Sequence, residues 1–373
     1  MNGKIGLVLA GLAVLAGCAT PPAAQTISDP LQARAETAAA KVREAYDPAG
    51  PGAAYLISRN GRVLASGAIG YANLEWDEAM TTETAIRIGS LSKPITAVMA
   101  LQLVEENLLD LDQPVRIYAP DLPDQFGAVT MRQLLSHRSG LADFLSDPAL
   151  MEHIWLPITT DKIIELAKET PASKAPGAQY EYVNFNYVLV AHVIEKIIGR
   201  PYKDAVNSFF SEYGMANSHF DAHEAIIKSR AAAYELRDGD ILNTPGLDMS
   251  HVSAAGALLS SATDLNRWIG LLNSGGLLDE DSLFAAWTPQ TLPNGEPTAY
   301  GLGFNEREFC GVRAVWHTGL APGGQAAFML APDDGLFTIV LSNAYNTPNT
   351  GKLSRKMMAA MLTGQTDAPC ADE

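Results

Sequence analysis

Positive charge is scarce in this chain: 26 lysines and arginines stand against 42 aspartates and glutamates, a formal net charge of −16. A nucleic acid would be repelled instead of gaining from counterion release, and no basic patch offsets the deficit. The short patterns that mark several other chemistries are also missing. There is no G-x-S-x-G elbow of the α/β-hydrolase kind, no H-E-x-x-H, no phosphate-binding loop and no dinucleotide fingerprint. Neither repeats nor low-complexity blocks interrupt residues 30–365. What remains is a 373-residue chain, 47% apolar, long enough for one large domain or two intertwined ones.

Apolar runs are short as well. Ile5 to Ala16 follows a charged start (the amino terminus and Lys4) and gives way to small residues, so it reads as a secretory signal too short for a comfortable membrane span. Leu15-Ala16-Gly17-Cys18 resembles the bacterial lipoprotein cleavage box. Residues 1–17 would then be removed, and Cys18 would become the lipidated first residue, anchored by several acyl chains where one would hold only weakly. Ala19 supplies no aspartate retention signal of the enterobacterial kind, which points to the outer membrane in a cell that has one. Residues 18–30, with Pro21-Pro22-Ala23-Ala24-Gln25, read as a short tether. Only two cysteines are left, Cys310 and Cys370. In an exported protein this even remainder suggests a disulfide; two free thiols or an unpaired tail are the alternatives.

Along residues 31–365 the pattern changes twice. An alanine-rich helix (about 31–45) precedes two strands, 53–59 and 62–73, joined at Asn60-Gly61, a strong hairpin signal. Residues 116–285 read as helices and long loops, including 160–168, 187–198 and 262–272. Strand character returns at 301–308, 312–316, 325–330 and 336–342, and a helix closes the domain at about 351–362, ahead of a tail at 366–373. Strands at both ends with helices between them predict an α+β fold. An antiparallel sheet (about 31–115 and 286–365) would be flanked by helices and carry a mostly helical inserted subdomain (about 116–285), with a site in the crevice between the two parts.

Ile88-Gly89-Ser90-Leu91-Ser92-Lys93-Pro94 opens an apolar helix. Serine caps helices, proline fits a first turn and lysine can reach solvent from there, so a plain helix start would explain the segment. The alternative is chemical: Lys93, three residues after Ser90, falls on the same helical face and within reach of its hydroxyl as an activating base. Further on, Tyr180 to Tyr187 form an aromatic loop before a helix. The run Trp316-His317-Thr318-Gly319-Leu320 is a strand ending in small residues that permit close approach to a ligand.

Together these segments resemble the serine β-lactamase and penicillin-binding-protein superfamily, in the branch of class C β-lactamases, D-Ala-D-Ala carboxypeptidases and β-lactamase-like esterases. The match is S-x-x-K at Ser90–Lys93, Y-x-N at Tyr182–Asn184 and H-T-G at His317–Gly319, at separations of about 90 and 135 residues. LLSHRSGL at 134–141, PGAQYEYVNFNY at 176–187, AAGALLSSATDL at 254–265 and YGLGF at 300–304 also fit. The resemblance implies a β-lactamase/transpeptidase-like fold and an acyl-enzyme at Ser90. Lys93 or Tyr182 would be the general base; Tyr182 would shuttle a proton to the leaving group. Asn184, His317, Thr318 and Gly319 would bind substrate, and the backbone N–H groups of Ser90 and Leu320 would hold the oxyanion. Many relatives carry lysine at position 317. An imidazole, with a reference pKa of about 6.5, would anchor a substrate carboxylate more weakly and in a pH-dependent way.

The leading expectation is an envelope-anchored serine hydrolase acting on D-Ala-D-Ala-type peptides or related small amides and esters. A class C-like β-lactamase or carboxylesterase is the second reading, and a non-catalytic penicillin-binding or sensor module the third. No cofactor is implied. His219 and His223, spaced i, i+4, read as a solvated turn ahead of a metal pair, and His137 as a structural residue beside the cleft.

Overall fold

The computed structural model describes residues 30–371 apart from positions 153 and 171. The signal segment, most of the tether and the lipidation candidate Cys18 lie outside the described residues. The helices that position the site are α1 (Pro30–Ala45), α2 (Ser92–Glu105), α3 (Thr160–Ala167), α4 (Phe185–Ile198), α5 (Tyr202–Glu212), α6 (Ala262–Asn273), α7 (Glu280–Trp287) and α8 (Thr350–Thr363). None among the described residues is long and apolar enough to cross a membrane.

Six antiparallel strands form the central sheet: β1 (Ala53–Arg59), β2 (Arg62–Ile69), β3 (Asn305–Phe309), β4 (Val312–Ala321), β5 (Gly324–Ala331) and β6 (Leu336–Ser342). They lie in the order β3-β4-β5-β6-β1-β2. The seam between chain ends is β1 against β6, running from Ala53 opposite Ser342 to Arg59 opposite Leu336. Alternation along β1 sorts its side chains between two cores. Tyr55 and Ile57 pack with Ala35, Ala38, Ala39 and Val42 of α1 and with Met357, Met358 and Met361 of α8. Ala54 and Leu56 face the other way, into the core shared with α2, α4 and α6. Helix α1 forms because alanine has the highest helix propensity, and its i, i+3, i+4, i+7 spacing turns one stripe onto the sheet.

The α+β architecture expected from the sequence is present, with differences in detail. The strand expected over 62–73 breaks at Gly70, whose φ of +74° and close approach to the Gly50 carbonyl (2.7 Å from a built Cβ) interrupt the ladder. The strand expected over 301–308 forms only from Asn305, because Gly303 (φ +91°) lies so near Ala97 that a Cβ there would stand 2.5 Å from its side chain. The strand expected at 312–316 continues to Ala321. The inserted part is mainly helical but holds short strands, among them His219–Phe220, Tyr234–Arg237, Asp240–Asn243 and Leu258–Ser260. Segments of two to four residues are too short to display an alternating pattern.

Cys310, in the turn between β3 and β4, is joined to Cys370 in the tail. With a sequence separation of 60, loop-entropy reasoning assigns about 4 kcal/mol to this cross-link. Replacing Cys370 by serine should therefore lower unfolding free energy by about 2–4 kcal/mol. Denaturant titration of the oxidised wild type and the variant checks this, and equal midpoints would reject it.

Candidate active site

Ser90 sits in a 3-10 turn, Gly89–Leu91, that runs directly into α2. Gly89 adopts φ +52°, and a Cβ there would lie 2.6 Å from both the nitrogen and the carbonyl oxygen of Leu320. Gly319 has as little room, since any side chain would collide with the Ile88 carbonyl. Two glycines thus let β4 press its main chain against the serine turn. Strand β3 stops opposite Trp316, so from His317 to Ala321 this edge of β4 carries no strand neighbour and faces the turn. Ser92 ties the turn down further, donating to the Gly89 carbonyl at 2.7 Å and accepting from Leu258 N–H at 3.2 Å.

Lys93 is fully buried, at 0% exposure. Its Nζ lies 3.0 Å from Ser90 Oγ, 2.9 Å from Asn184 Oδ1 and 2.8 Å from the Ala255 carbonyl. It also stands 4.7 Å above the Tyr182 ring and 5.6 Å above that of Tyr187. Burial pulls its pKa from the ordinary lysine value down to about 7, opposed by the nearby Asp143 carboxylate. Near neutral pH a large share of Lys93 is therefore free amine, able to accept a proton from the serine it touches.

Tyr182 is 38% exposed at the mouth of the site, and its hydroxyl is hydrogen-bonded with Ser90. Burial of that hydroxyl raises its pKa, only partly offset by the serine, so it is a neutral phenol at pH 7. Asn184 begins α4. Asp143 accepts from the side-chain Nδ2 and the backbone N–H of Asn184 at 2.9 and 3.2 Å, and from Phe185 N–H at 3.2 Å. The carboxylate thus caps the helix and aims the asparagine carbonyl at Lys93. His137 is buried behind Tyr182, their ring centroids 4.2 Å apart.

His317 departs from the pH-dependent carboxylate anchor that a reference pKa of about 6.5 implied. Its Nδ1 faces the Thr318 carbonyl at 2.7 Å, which can only accept, so Nδ1 carries the proton and Nε2 accepts from the Tyr300 hydroxyl at 2.9 Å. Desolvation, reinforced by Lys93, lowers its pKa to about 3. A neutral, doubly satisfied imidazole offers no cation to a carboxylate. Along β4 the neighbours alternate: Thr318 and Leu320 are exposed, His317 and Gly319 buried. The Thr318 methyl lies toward Gly351 at the start of α8.

Residues 34–360 match the β-lactamase family. The chain belongs to that family. It is 29% identical over 321 residues to a D-aminopeptidase of Brucella ovis, covering 84% of this chain. It spans 60% of that relative's length. Among solved structures, it is similar to a D-stereospecific amidohydrolase from Streptomyces, with 28% identity, a TM-score of 0.73, and coverage of 87% of this chain and 99% of the other. It is also similar to an octameric penicillin-binding protein homologue from Pyrococcus abyssi, with 27% identity, a TM-score of 0.73, and coverage of 90% and 77%.

The fold brings Ser90, Lys93, Tyr182, Asn184 and His317 together, and the Leu320 main chain with them. Cys18 lies outside the described residues. His219 lies on a short strand of the insertion and His223 just after it. Among the described residues, Asp121, Asp161 and His192 place one donor atom each within 4.8 Å of one another, but Lys196 Nζ already neutralises Asp121 at 2.8 Å. A cavity of about 670 Å³ between α3, the α4–α5 turn and residues 248–253 is lined by none of the motif residues. Sequence reading missed Asp143, Tyr300 and the Ala255 carbonyl. Tyr300 and Ala255 both lay within motif phrases, YGLGF and AAGALLSSATDL, whereas Asp143 acts from a loop, and the relation of Asp143 and Ala255 to Lys93 exists only in three dimensions. Two titrations check the electrostatics. His317 should remain a neutral Nδ1–H tautomer from pH 5 to 9 in imidazole ¹⁵N spectra. Asp143→Asn should move the Lys93 pKa below that of wild type, because the charge that raises it is gone.

Proposed function

We propose that this protein is a serine hydrolase that cleaves small amides and peptides bearing D-amino acid residues, through an acyl-enzyme at Ser90. The single observation that carries this reading is Ser90 Oγ at 3.0 Å from a fully buried Lys93 Nζ whose pKa lies near 7. The names of the D-aminopeptidase and D-stereospecific amidohydrolase relatives favour the substrate class. The intact contact among Ser90, Lys93 and Tyr182 weighs against a non-catalytic module.

In this mechanism Lys93, as free amine, takes the Ser90 proton while Oγ attacks the substrate carbonyl. Tyr182 holds its own proton, so it is not the resting base; it relays a proton from Lys93 to the leaving amine. The oxyanion receives the N–H groups of Ser90 and Leu320, a contribution of ~3 kcal/mol per donor in a comparable hydrolase. Collapse of the tetrahedral adduct breaks the C–N bond and leaves an ester on Ser90. Water then adds to that ester, giving its proton to the same base; the acyl C–Oγ bond breaks, the base returns the proton to Ser90 Oγ, and the acid product departs. Substrate carboxylates gain no ion pair from neutral His317, which favours amides over carboxylate-bearing penicillins. The protein works at the envelope, held by lipid on Cys18; palmitate labelling that survives Cys18→Ser would remove this part.

The test is turnover of D- and L-amino acid amides and of a short-chain nitrophenyl ester, with mass spectrometry of penicillin-treated protein alongside. Ser90→Ala should abolish turnover of every substrate and any penicillin adduct. Lys93→Ala and Tyr182→Phe should each cost at least ~100-fold. Because protonated Lys93 cannot accept the serine proton, kcat/KM should rise with pH through about 7, and matched amide and free-acid substrates should share that limb. Full activity in Ser90→Ala would sink the mechanism; faster turnover of L-amides than D-amides would sink the substrate class.

A further inference from the structure

His137 stands at φ +55°, a left-handed conformation that costs a non-glycine residue energy, and it is completely buried. Three contacts join it to the segment carrying Tyr182 and Asn184. Its carbonyl accepts from Glu181 N–H at 2.9 Å, its Nδ1 accepts from Val183 N–H at 3.1 Å, and its ring lies 4.2 Å from that of Tyr182, tilted by 32°. Because Nδ1 accepts a main-chain proton, the imidazole's own proton is on Nε2. That atom is buried and has no hydrogen-bond partner among the described residues. The rings of Tyr187 and Tyr300 pack against the imidazole, their centroids 5.4 and 4.9 Å from that of His137.

A strained backbone and a buried N–H without a protein partner are both unfavourable for stability, since an apolar side chain would avoid the second and asparagine or glycine would relax the first. Histidine alone combines an acceptor one bond from Cγ with a flat ring that reaches Tyr182. We propose that His137 is a positioning residue, clamping Tyr182, Val183 and Asn184 into one unit that keeps Tyr182 over Lys93 and Asn184 against it. The inference rests on the reading of Ser90 and Lys93 given above and adds to it the element that sets their surroundings.

The groups facing Lys93 come from every side: Ser90 from its own turn, Tyr182 and Asn184 from the segment before α4, and Tyr187 from α4. Asp143 belongs to the preceding loop, the Ala255 carbonyl to the insertion and His317 to β4. His137 adds its own repulsion when charged, but burial keeps it neutral. Without the clamp, Tyr182 would no longer cover Lys93, water would reach the amine, and its pKa would climb toward the ordinary lysine value. The acid limb of acylation would then move to higher pH, a shift that mere loss of stability does not cause.

The experiment compares wild type, His137→Asn and His137→Phe. Asparagine tolerates the backbone and keeps an acceptor for Val183 without a ring; phenylalanine keeps a ring without the acceptor. Acylation rates per titrated active site are measured from pH 5 to 9 with any substrate the wild type turns over, together with thermal melts. We expect a loss of about tenfold or more in both variants, KM changed by less than about threefold, and an acid limb about one unit higher in His137→Asn. A folded His137→Asn protein acylating within about twofold of wild type, with its limb unmoved, overturns the proposal. Imidazole ¹⁵N spectra of wild type provide a reading independent of catalysis and of how the variants fold. His137 should be a non-titrating Nε2–H tautomer, and an Nδ1–H tautomer or titration between pH 5 and 8 also overturns it. Turnover surviving in Ser90→Ala would instead remove the nucleophile assignment and leave the ¹⁵N result standing.

Discussion

Burying Lys93 strips its amine of water, and an unpaired ammonium in that position would be strongly unfavourable. Three acceptors replace the lost hydration, and they come from different parts of the chain: Ser90 three residues away, Asn184 at a separation of 91 and Ala255 at a separation of 162. The helical part of the molecule is arranged to deliver two of them. Asp143 aims Asn184, and the buried turn Ser253–Ala255 presents its last carbonyl. Burial lowers the affinity of Lys93 for its proton, Asp143 raises it, and the two together leave the amine near the middle of its titration at neutral pH. A drier pocket would keep it permanently neutral and a wetter one permanently charged. Neither extreme could both take and return a proton.

Around that amine the remaining polar groups are kept uncharged. Tyr182 holds its proton, and the neighbouring His137 and His317 are both neutral imidazoles with opposite tautomers, each fixed by a main-chain partner: the Val183 N–H for one, the Thr318 carbonyl for the other. Charge is thereby concentrated on Lys93 and the Asp143 carboxylate. With no cation at position 317, recognition in this cleft falls to neutral donors and main-chain groups. That distinguishes it from a site built to grip a carboxylate through an ion pair.

Much of this was legible from residue order. The hairpin at Asn60-Gly61, the alanine-rich run of α1, the late strands and the S-x-x-K, Y-x-N and H-T-G segments each carry a local signature, and the structure places them as one sheet and one cleft. What was not legible depends on distance in sequence. The protonation state of His317 is set by desolvation, reinforced by Lys93, neither of which a reference pKa contains, so the pH-dependent carboxylate anchoring expected of it has no imidazolium to rest on near neutral pH. Asp143 looked like any loop carboxylate until α4 turned its first N–H groups toward it. The breaks at Gly70 and Gly303 follow from main-chain approaches to Gly50 and α2 that composition does not announce.

The pressing of Gly319 against the turn of Ser90 has a consequence for how the molecule comes into being. Ser90, the proposed nucleophile, lies in the first third of the chain, yet its turn is shaped by a strand some 230 residues later, and β1 waits for β6 to complete the sheet. Such long-range pairing folds slowly, because loop closure must precede any reward from contact. A growing chain that has produced Ser90, Lys93, Tyr182 and Asn184 still lacks the Leu320 main chain against the serine. In the proposed mechanism, competence for acyl transfer would therefore arrive only once the last strands are in place, which would spare a half-made chain from reacting with whatever it meets before then.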